Sequence, residues 1–456
     1  MAKFNRKKVL RQLEFKRKWK SYSRYVYIAV PCVLCCLLCL YFAYSKFFVS
    51  SEEAVVRTTV GDFIHGDVVI GAYIDGEYSS TIPGKNDGYV VDKVSCDNGA
   101  VGEWNNDDWG LLTTNLTKRT KCNVYFKKAV SNVPDIIAQL DTSGKCPTMN
   151  ADGSVNVTGI EATDGYLCKA KDAYGDSYYY RGNVTNNYVK FADKYWRIVR
   201  INGDGTVRVI YDGTAAHANG ESSNDRQIGI SAFNSSDNDN AYVGYMYGKI
   251  GASTYADAHV NTNDSTIKAY IDNWYKTNIV GTTNEQYLVD NVFCNDRSIS
   301  SKKPSSSYNN LGYGTNATAY RWNYGSWDGT NYGNMKMILT CPQKNDAFTV
   351  SDTTNGNGVL TYPVGLLSTD EIVLAGGWNV PNSGYYLYSG QYWWASSPLR
   401  GGSSAGMHRV NKYGSASEGN RVGLNGGVRP VFNLKAEVLA QGSGTATDPY
   451  RLSLTS

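Results

Sequence analysis

Histidine is scarce in this sequence: the 456 residues include only four, His65, His217, His259 and His408. None of them lies near a nucleophile motif such as Gly-x-Ser-x-Gly. A serine or cysteine hydrolase needs a nucleophile, a base and an orienting group, and the sequence offers no such set. His-Glu-x-x-His, a P-loop and a Gly-x-Gly-x-x-Gly turn after a strand are also absent. We therefore expect no catalytic residue, no metal and no cofactor.

Adjacent carboxylates do occur at Asp370 and Glu371, and two carboxylates are the machinery of most glycoside hydrolases. Ser368 stands three residues before Glu371, and this spacing is typical of a capping box at the start of a helix. We interpret the acidic pair as that helix start.

The folded part of the chain also lacks a basic excess. From Ser50 onward it has 34 Lys/Arg and 40 Asp/Glu, whereas the residues before Tyr25 hold ten Lys/Arg and one acid, Glu14. A nucleic-acid-binding protein carries its basic face on the folded part. We therefore expect no nucleic-acid partner.

Residues 25–44 form a long uncharged run, YVYIAVPCVLCCLLCLYFAY. A helix of this length spans about 30 Å, the thickness of the hydrocarbon core of a bilayer. The basic residues before the run would keep the N-terminus in the cytoplasm. We predict a cytoplasmic basic tail at 1–24, a transmembrane helix at 25–45, and a plasma-membrane protein whose bulk is extracellular. A cleaved signal peptide is the alternative, because Ala43 and Ser45 have the spacing of a cleavage site.

Of the ten cysteines, four lie in the apolar run, where they act as small apolar residues. The other six form an even set in the predicted extracellular part, and this favours disulfides. Each lies at the edge of its own local segment. We predict the sequential pairs Cys96–Cys122, Cys146–Cys168 and Cys294–Cys341, one of fifteen possible connectivities.

Three segments follow the predicted membrane helix. Residues 61–130 are rich in strand and turn signals and predict a small all-β module that acts as a spacer. Residues 131–176 predict a disulfide-held connector. Residues 177–456 predict a ligand-binding domain, and the whole is of the α+β class. Inside that domain we predict a hairpin of Tyr195–Ile201 and Thr206–Tyr211, a helix at Asp264–Tyr275, and strands at Met335–Leu339 and Val359–Leu366.

The stretch from Tyr392 to Leu434 has two apolar ends, Tyr392–Trp394 and Val428–Leu434, around a middle dominated by Gly, Ser, Asn and Arg. The ends predict buried strands. The middle predicts exposed loop and hairpin, free to vary without cost to a core. Loops on a rigid scaffold are where binding residues concentrate, and the Tyr-, Gly-, Ser- and Asn-rich composition resembles that of antibody loops.

An ordered set of motifs carries a family resemblance over about residues 177–452. The motifs are SYYYRGNVTNNYVKFADKYWRIVRINGDGTVRVI, IKAYIDNWY, FCNDRS, LTCPQKNDAFTV, YPVGLLSTDEI, YYLYSGQYWWASSP and GVRPVFNLK. They resemble a family of anchored surface proteins from low-GC Gram-positive bacteria. The segment ending in KCNVYF is similar to the module that usually accompanies them.

The end of the chain also resembles the C-type-lectin-like fold shared by formylglycine-generating enzymes and the variable proteins of diversity-generating retroelements. Arg400-Gly401-Gly402-Ser403 matches the RGGS of that fold, although Ser404 replaces the usual Trp. The resemblance implies a C-type-lectin-like fold with a ligand-contacting face. It does not carry over cysteine oxidation, because no Cys follows Cys341. Val380-Pro381-Asn382 lacks an oxygen ligand that a calcium-dependent sugar site requires.

We therefore predict a membrane-anchored receptor or adhesin that binds an extracellular protein or glycan through its C-terminal region. Two alternatives stay open: a variable region diversified by a retroelement, and a cell-wall enzyme on the same fold. The predicted ligand-binding residues are Trp393, Arg400, Ser403, Ser404, Met407, His408, Arg409, Asn411, Tyr413, Ser415, Ser417, Glu418, Asn420 and Arg421.

The membrane anchor predicts that the intact chain is recovered with membranes and is released by detergent but not by salt. Cell fractionation followed by N-terminal sequencing checks this. A mature chain that begins near Lys46 would instead establish the signal-peptide alternative.

Overall fold

The computed structural model describes residues 11, 14–18, 68–84, 89–105, 109–115, 119–128, 131–157, 162–299, 318–322, 336–378, 380–401, 404–416 and 418–452. The predicted transmembrane helix at 25–45 lies outside these residues. In the described part of the chain, no helix is both long enough and apolar enough to cross a bilayer. Two compact units divide the chain, Met1–Ala129 and Val130–Ser456.

Apart from the helical residues 11 and 14–18, the described part of the N-terminal unit is built from strands. A four-stranded sheet has the order β2–β1–β6–β3, in which β1 and β6 are parallel, and β4 and β5 form a separate hairpin. The strands are β1 (Val68–Ile74), β2 (Glu77–Ser79), β3 (Tyr89–Cys96), β4 (Val101–Asn105), β5 (Gly110–Thr114) and β6 (Thr120–Lys128). The predicted all-β module is therefore mainly a single sheet with a hairpin.

Period-two alternation explains which face of this sheet is buried. Ile70 and Ala72 of β1 and Val124 and Phe126 of β6 point into one small core. Trp104 of the β4–β5 hairpin packs edge-on against Phe126, with ring centroids 5.2 Å apart. The hairpin thus contributes an aromatic side chain to the core of the sheet.

The C-terminal unit mixes short helices with many short strands. Its helices are α1 (Val133–Ile137), α2 (Tyr255–Ala258), α3 (Thr266–Asn278) and α4 (Thr369–Ala375). Its strands are β7 (Val155–Asn156), β8 (Tyr166–Asp172), β9 (Gly175–Arg181), β10 (Tyr188–Phe191), β11 (Lys194–Ile201), β12 (Val207–Gly213), β13 (Gly229–Ala232), β14 (Met246–Tyr247), β15 (Asn263–Asp264), β16 (Phe293–Cys294), β17 (Thr318–Ala319), β18 (Lys336–Met337), β19 (Ala347–Phe348), β20 (Trp393–Gly401), β21 (Ala405–Val410), β22 (Glu418–Arg421), β23 (Asn425–Val428) and β24 (Val431–Leu434). The α+β class is confirmed.

Two sheets of six strands organise this unit. The first has the order β24–β12–β11–β9–β8, with β10 also paired to β11. The second has the order β13–β23–β20–β21–β22, with β17 paired to β20. Strand β8 lies early in the sequence of the unit and β24 lies late. The first sheet contains both strands, so it joins the early and late parts of the unit.

The boundary of the unit differs from the one predicted at residue 177. Strand β8 lies inside the predicted connector, 131–176, yet it pairs with β9 throughout its length. Val133 and Ile136 of α1 and Val155 of β7 belong to the same hydrophobic core as the large domain. The polar turns of this segment favour a separate connector, but its few apolar residues pack into the core of the large domain.

Local sequence signals placed the two longer helices correctly. Ser265 caps α3 by accepting a hydrogen bond from the backbone N–H of Lys268, and Ile267 and Ile271 are buried on its inner face. The capping box of α4 is present as predicted, and Gly376 ends that helix in the left-handed region with φ 118°. Such a conformation suits glycine because it has no Cβ.

The three predicted disulfides are confirmed: Cys96–Cys122, Cys146–Cys168 and Cys294–Cys341. Cys96 and Cys122 are directly opposed in strands β3 and β6. The hairpin of β11 and β12 is also confirmed. The strand predicted at Val359–Leu366 is wrong, since this stretch has no regular structure, and that at Met335–Leu339 shortens to β18.

Buried charges connect the first sheet to α4. Arg200 of β11 and Arg208 of β12 are 3% and 2% exposed. Both donate to Oε1 of Glu371, at 3.2 and 2.7 Å respectively, and Arg200 also pairs with Asp172. Burial alone would raise the pKa of Glu371, but the two guanidinium groups outweigh it and lower that pKa. The carboxylate is therefore ionised inside the protein.

We predict that Glu371→Gln lowers the free energy of unfolding by about 3 kcal/mol, because it leaves two buried guanidinium groups without their shared anion. Chemical denaturation measures the change. The matched control is Asp176→Asn, which removes the exposed Lys169–Asp176 pair and should cost less than about 1 kcal/mol. Equal losses in the two variants would contradict the structural role of Glu371.

Candidate ligand-binding surface

The predicted binding region folds as the middle of the second sheet. Strand β21 pairs with β20 on one side, where Trp394 opposes Arg409, and with β22 on the other, where Met407 opposes Asn420. All six residues of β21 are buried. A strand with a neighbour on each side and both faces covered presents no side chain to a ligand.

Five predicted ligand-binding residues are consequently buried. Their exposed fractions are 1% for Trp393, 0% for Met407, 4% for His408, 8% for Arg409 and 2% for Ser415. The expectation that this region could vary without cost to a core does not hold for them. The correction has a physical cause: alternation within a strand assigns two faces, but only the neighbouring elements decide whether either face meets water.

Two of these residues have structural contacts of their own. The Arg409 guanidinium lies over the ring of Tyr392, 4.2 Å from its centroid, and donates to the carbonyl of Asn425 at 3.3 Å. His408 Nδ1 is 2.9 Å from the carbonyl oxygen of Ala416, and its ring is 5.2 Å from that of Trp322. Burial lowers the pKa of His408 to about 4, so this side chain is neutral at physiological pH.

Other predicted residues reach the surface. Tyr413 is 55% exposed, the Arg421 side chain is 64% exposed, and Ser404, Asn411 and Asn420 are partly exposed. The backbones of Arg400 and Glu418 lie in β20 and β22. Ser403 and Ser417 lie outside the described residues.

The exposed residues form two groups at opposite ends of the β21–β22 hairpin. Arg421 and Ser404 lie at the end where Ala405 N–H donates to the carbonyl of Asp237. Tyr413 lies in the turn that follows Val410 at the other end. The six residues of β21 span about 20 Å, so the predicted residues do not make one continuous surface.

The Tyr413 end forms a tip, which we define as residues 380–384 and 411–414. Asn382 connects its two loops, because its N–H donates to the carbonyl of Tyr413 at 3.0 Å and its side-chain amide donates to the carbonyl of Gly376 at 3.1 Å. Val380 is 58% exposed and Tyr413 is 55% exposed. The tip thus holds two apolar side chains in water on a hydrogen-bonded frame.

Sequence reasoning missed the part of the tip contributed by residues 380–384. In the sequence, Val380-Pro381-Asn382 resembles only a calcium motif that lacks one oxygen ligand. The Pro-Asn-Ser-Gly run is a recognisable turn signal, but its proximity to Tyr413 depends on a contact between residues about thirty apart in the sequence and could not be read locally.

A polar cleft elsewhere in the unit is the other candidate site. Asp296, Arg321 and Asp370 line it, together with Thr340 and Ser368, and leave a free volume of only about 10 Å³ between them. Arg321 pairs with both aspartates. Asp370 also accepts from Trp322 Nε1 at 2.6 Å and from the N–H of Ile338 at 2.9 Å.

Burial raises the pKa of Asp370, against the opposing influence of Arg321. Its neighbour Glu371 is engaged by two arginines and by the N–H of Ser368. Both carboxylates of the sequence-adjacent pair are therefore committed to the fold, which agrees with their interpretation as a helix start.

A third cluster surrounds His217. Its Nδ1 is 2.7 Å from Glu221 and its Nε2 is 2.9 Å from Asp225. A neutral imidazole has one donor and one acceptor, so only the protonated ring satisfies two carboxylates. Burial lowers the pKa of His217, but hydrogen bonds to Asp225 and Glu221 outweigh it and raise that pKa above 6.5.

Within the described residues, no group of three or more His, Cys, Asp or Glu side chains has a geometry that could hold a metal ion. Comparisons with protein-family models, curated proteins and solved structures found no match.

The His217 cluster predicts a defined pH dependence. Because the folded-state pKa of His217 is raised above 6.5, its stabilisation is complete below about pH 6.5 and is lost as the pH rises through the folded-state pKa. We expect wild type and His217→Gln to differ most in unfolding free energy near pH 6 and least near pH 9. Urea denaturation across this range measures the difference.

The buried His259 and His408 do not confound this comparison. Burial lowers their pKa values to about 2 and about 4, so they destabilise the fold as the pH falls below 6.5, in both proteins alike. A difference between wild type and variant that is constant from pH 6 to 9 would contradict a protonated His217.

Proposed function

We propose that this protein is an anchored extracellular receptor or adhesin that binds a protein or glycan through the tip of its C-terminal unit. The observation that carries the proposal is the exposure of Val380 and Tyr413 on two loops that the backbone of Asn382 joins by a hydrogen bond. Tyrosine gives a large contact area at a low entropic cost, and binding energy concentrates in such side chains when their frame is rigid.

Two further observations support an extracellular ligand-binding role. All six cysteines outside residues 25–44 are paired, as expected of a protein in an oxidising compartment. The long apolar run with basic residues before it supports membrane anchoring. We also propose membership in the family of anchored surface proteins, with a C-type-lectin-like fold in the C-terminal unit, on the ordered motifs between 177 and 452.

The burial of Met407, His408 and Arg409 bears on the two alternatives. Diversification by a retroelement would have to avoid these positions, because most replacements there would leave a cavity or an unsatisfied polar group. An enzyme would need free acid or base groups, whereas Asp370 and Glu371 are held by arginines. Both considerations favour a receptor with a small fixed contact surface.

We expect Tyr413→Ala and Val380→Ser each to weaken ligand binding by about tenfold or more, since a central contact residue contributes 1–2 kcal/mol or more. The measurement is binding of the full-length chain in detergent to a protein and glycan array, followed by titration of the captured ligand. Val260→Ser is the matched control, because Val260 is 52% exposed in the same unit and its backbone lies beside Gly248, not among the tip residues.

Arg421→Ala tests the opposite end of the β21–β22 hairpin. Unchanged binding in this variant, with loss in Tyr413→Ala, supports the tip. Loss in Arg421→Ala with full binding in Tyr413→Ala would place the site at the other end and overturn the proposal.

A further inference from the structure

A row of four side chains crosses the sheet of the N-terminal unit. The strand register places Tyr78 of β2 opposite Tyr73 of β1, Tyr73 opposite Tyr125 of β6, and Tyr125 opposite Lys93 of β3. Each strand contributes one residue, and neighbouring strands lie about 4.8 Å apart, so the row is about 14 Å long. We call it the Tyr–Lys row.

The Tyr–Lys row lies on the face opposite the core. Ala72 and Val124, the residues just before Tyr73 and Tyr125, are completely buried, and successive side chains in a strand point to opposite faces. Tyr78 is 59% exposed and Lys93 is exposed. The row is therefore presented to solvent and takes no part in the core of its unit.

The rings of the row pack against one another and leave their outer edges to solvent. Tyr73 and Tyr125 are stacked with centroids 4.8 Å apart and planes at 20°. Lys93 Nζ is 4.5 Å from the Tyr125 centroid, and Tyr78 meets Tyr73 edge-on at 5.8 Å. Because Tyr73 and Lys93 lie over the Tyr125 ring, what the centre of the row offers a ligand is hydroxyl groups and an ammonium group.

Among the described residues, the hydroxyls of Tyr73, Tyr78 and Tyr125 and the Lys93 ammonium form no hydrogen bond or ion pair. A line of such donors suits a ligand that carries repeated acceptors, above all anionic oxygens, since hydrogen bonds to charged groups are the stronger ones.

Beside the row, Asn123 fills the space over Gly71. Two residues along each strand, Gly71 opposes Asn123 and Asn123 opposes Ser95. A Cβ at Gly71 would lie 2.6 Å from Asn123 Oδ1, and that oxygen is buried. The row itself is therefore the part of this face that a ligand meets.

The charge on this face favours an anion. Lys93 and Lys121 point outward on β3 and β6, and the nearby Lys127 is already paired with Asp92 at 2.5 Å. Among the described residues, Lys93 and Lys121 form no ion pair, so two cations remain on the same face as the hydroxyl row. The combination of these cations with a line of hydroxyl donors matches a polymer that bears repeated carboxylates.

We propose that the Tyr–Lys row, together with Lys121 on the same face, binds an acidic polysaccharide, whose carboxylates accept from Lys93, Lys121 and the tyrosine hydroxyls. A single-stranded nucleic acid fits less well, because its bases need free aromatic faces to stack on. A lipid surface fits less well, because the row carries no aliphatic anchor. This site is separate from the tip and does not depend on the function proposed for it.

The test is binding of the full-length chain in detergent to polygalacturonate, a linear polyuronate, measured by affinity electrophoresis at low and high salt. The variant Tyr73→Phe/Tyr125→Phe/Lys93→Gln keeps both rings but removes two hydroxyls and the ammonium. We expect at least about tenfold weaker binding, since hydrogen bonds to charged groups are stronger than those between neutral groups. Wild-type binding should weaken as salt is raised.

The matched control is Tyr195→Phe/Lys190→Gln, which removes a second cross-strand tyrosine–lysine pair, with Lys190 Nζ 5.7 Å from the Tyr195 centroid. It should bind polygalacturonate as wild type does, and thermal unfolding verifies that both variants are folded. Absence of polygalacturonate binding at low salt, or equal losses in both variants, would overturn the proposal. So would equal binding of neutral dextran, of oligo-dT or of anionic vesicles by wild type.

Discussion

The carboxylate of Glu371 is the interaction on which the larger unit depends. It neutralises Arg200 and Arg208 of adjacent strands in the first sheet and accepts the N–H of Ser368 at the start of α4. That helix start in turn fixes the second sheet, because Thr369 N–H donates to Ser397 Oγ at 2.9 Å in β20. A single buried anion therefore connects both sheets through one helix. Its charge is affordable only because two guanidinium groups surround it.

A second buried carboxylate repeats this arrangement near the tip. Asp212 lies 2.7 Å from Arg226, 2.9 Å from Arg429 and 3.9 Å from Arg197. Burial lowers the pKa of Arg429 to about 10, against the attraction of Asp212. The excess of cations is offset by backbone carbonyls: Arg226 donates to Tyr386 and Arg429 to Leu387. Those carbonyls belong to the segment between the tip and β20, so the charge cluster positions the loop that carries the tip.

Features decided within a few residues could be predicted from the sequence. The Ser368 capping box, the Ser265 cap of α3 and the hairpin after Ile201 all follow from contacts between near neighbours in the chain. The burial of β21 could not, because it depends on β20, β22 and an aromatic side chain some ninety residues away, Trp322. Polar residues such as His and Arg in that strand suggested solvent, whereas His408 Nδ1 and the Arg409 guanidinium each contact a backbone carbonyl inside the protein.

The composition that suggested a freely varying surface has a different physical origin in this fold. A Cβ at Gly426 would lie 2.8 Å from Trp394 Nε1, and one at Gly427 would lie 2.8 Å from the carbonyl oxygen of Tyr392. Gly414 has φ +85° and packs against the backbone of Asn382. These glycines permit close approach of neighbouring strands and loops, so they restrict replacement instead of allowing it. Since crowding requires glycine at these positions, only side chains that point away from the packed strands and loops can be replaced without strain. In this region such side chains lie at the tip and around Arg421.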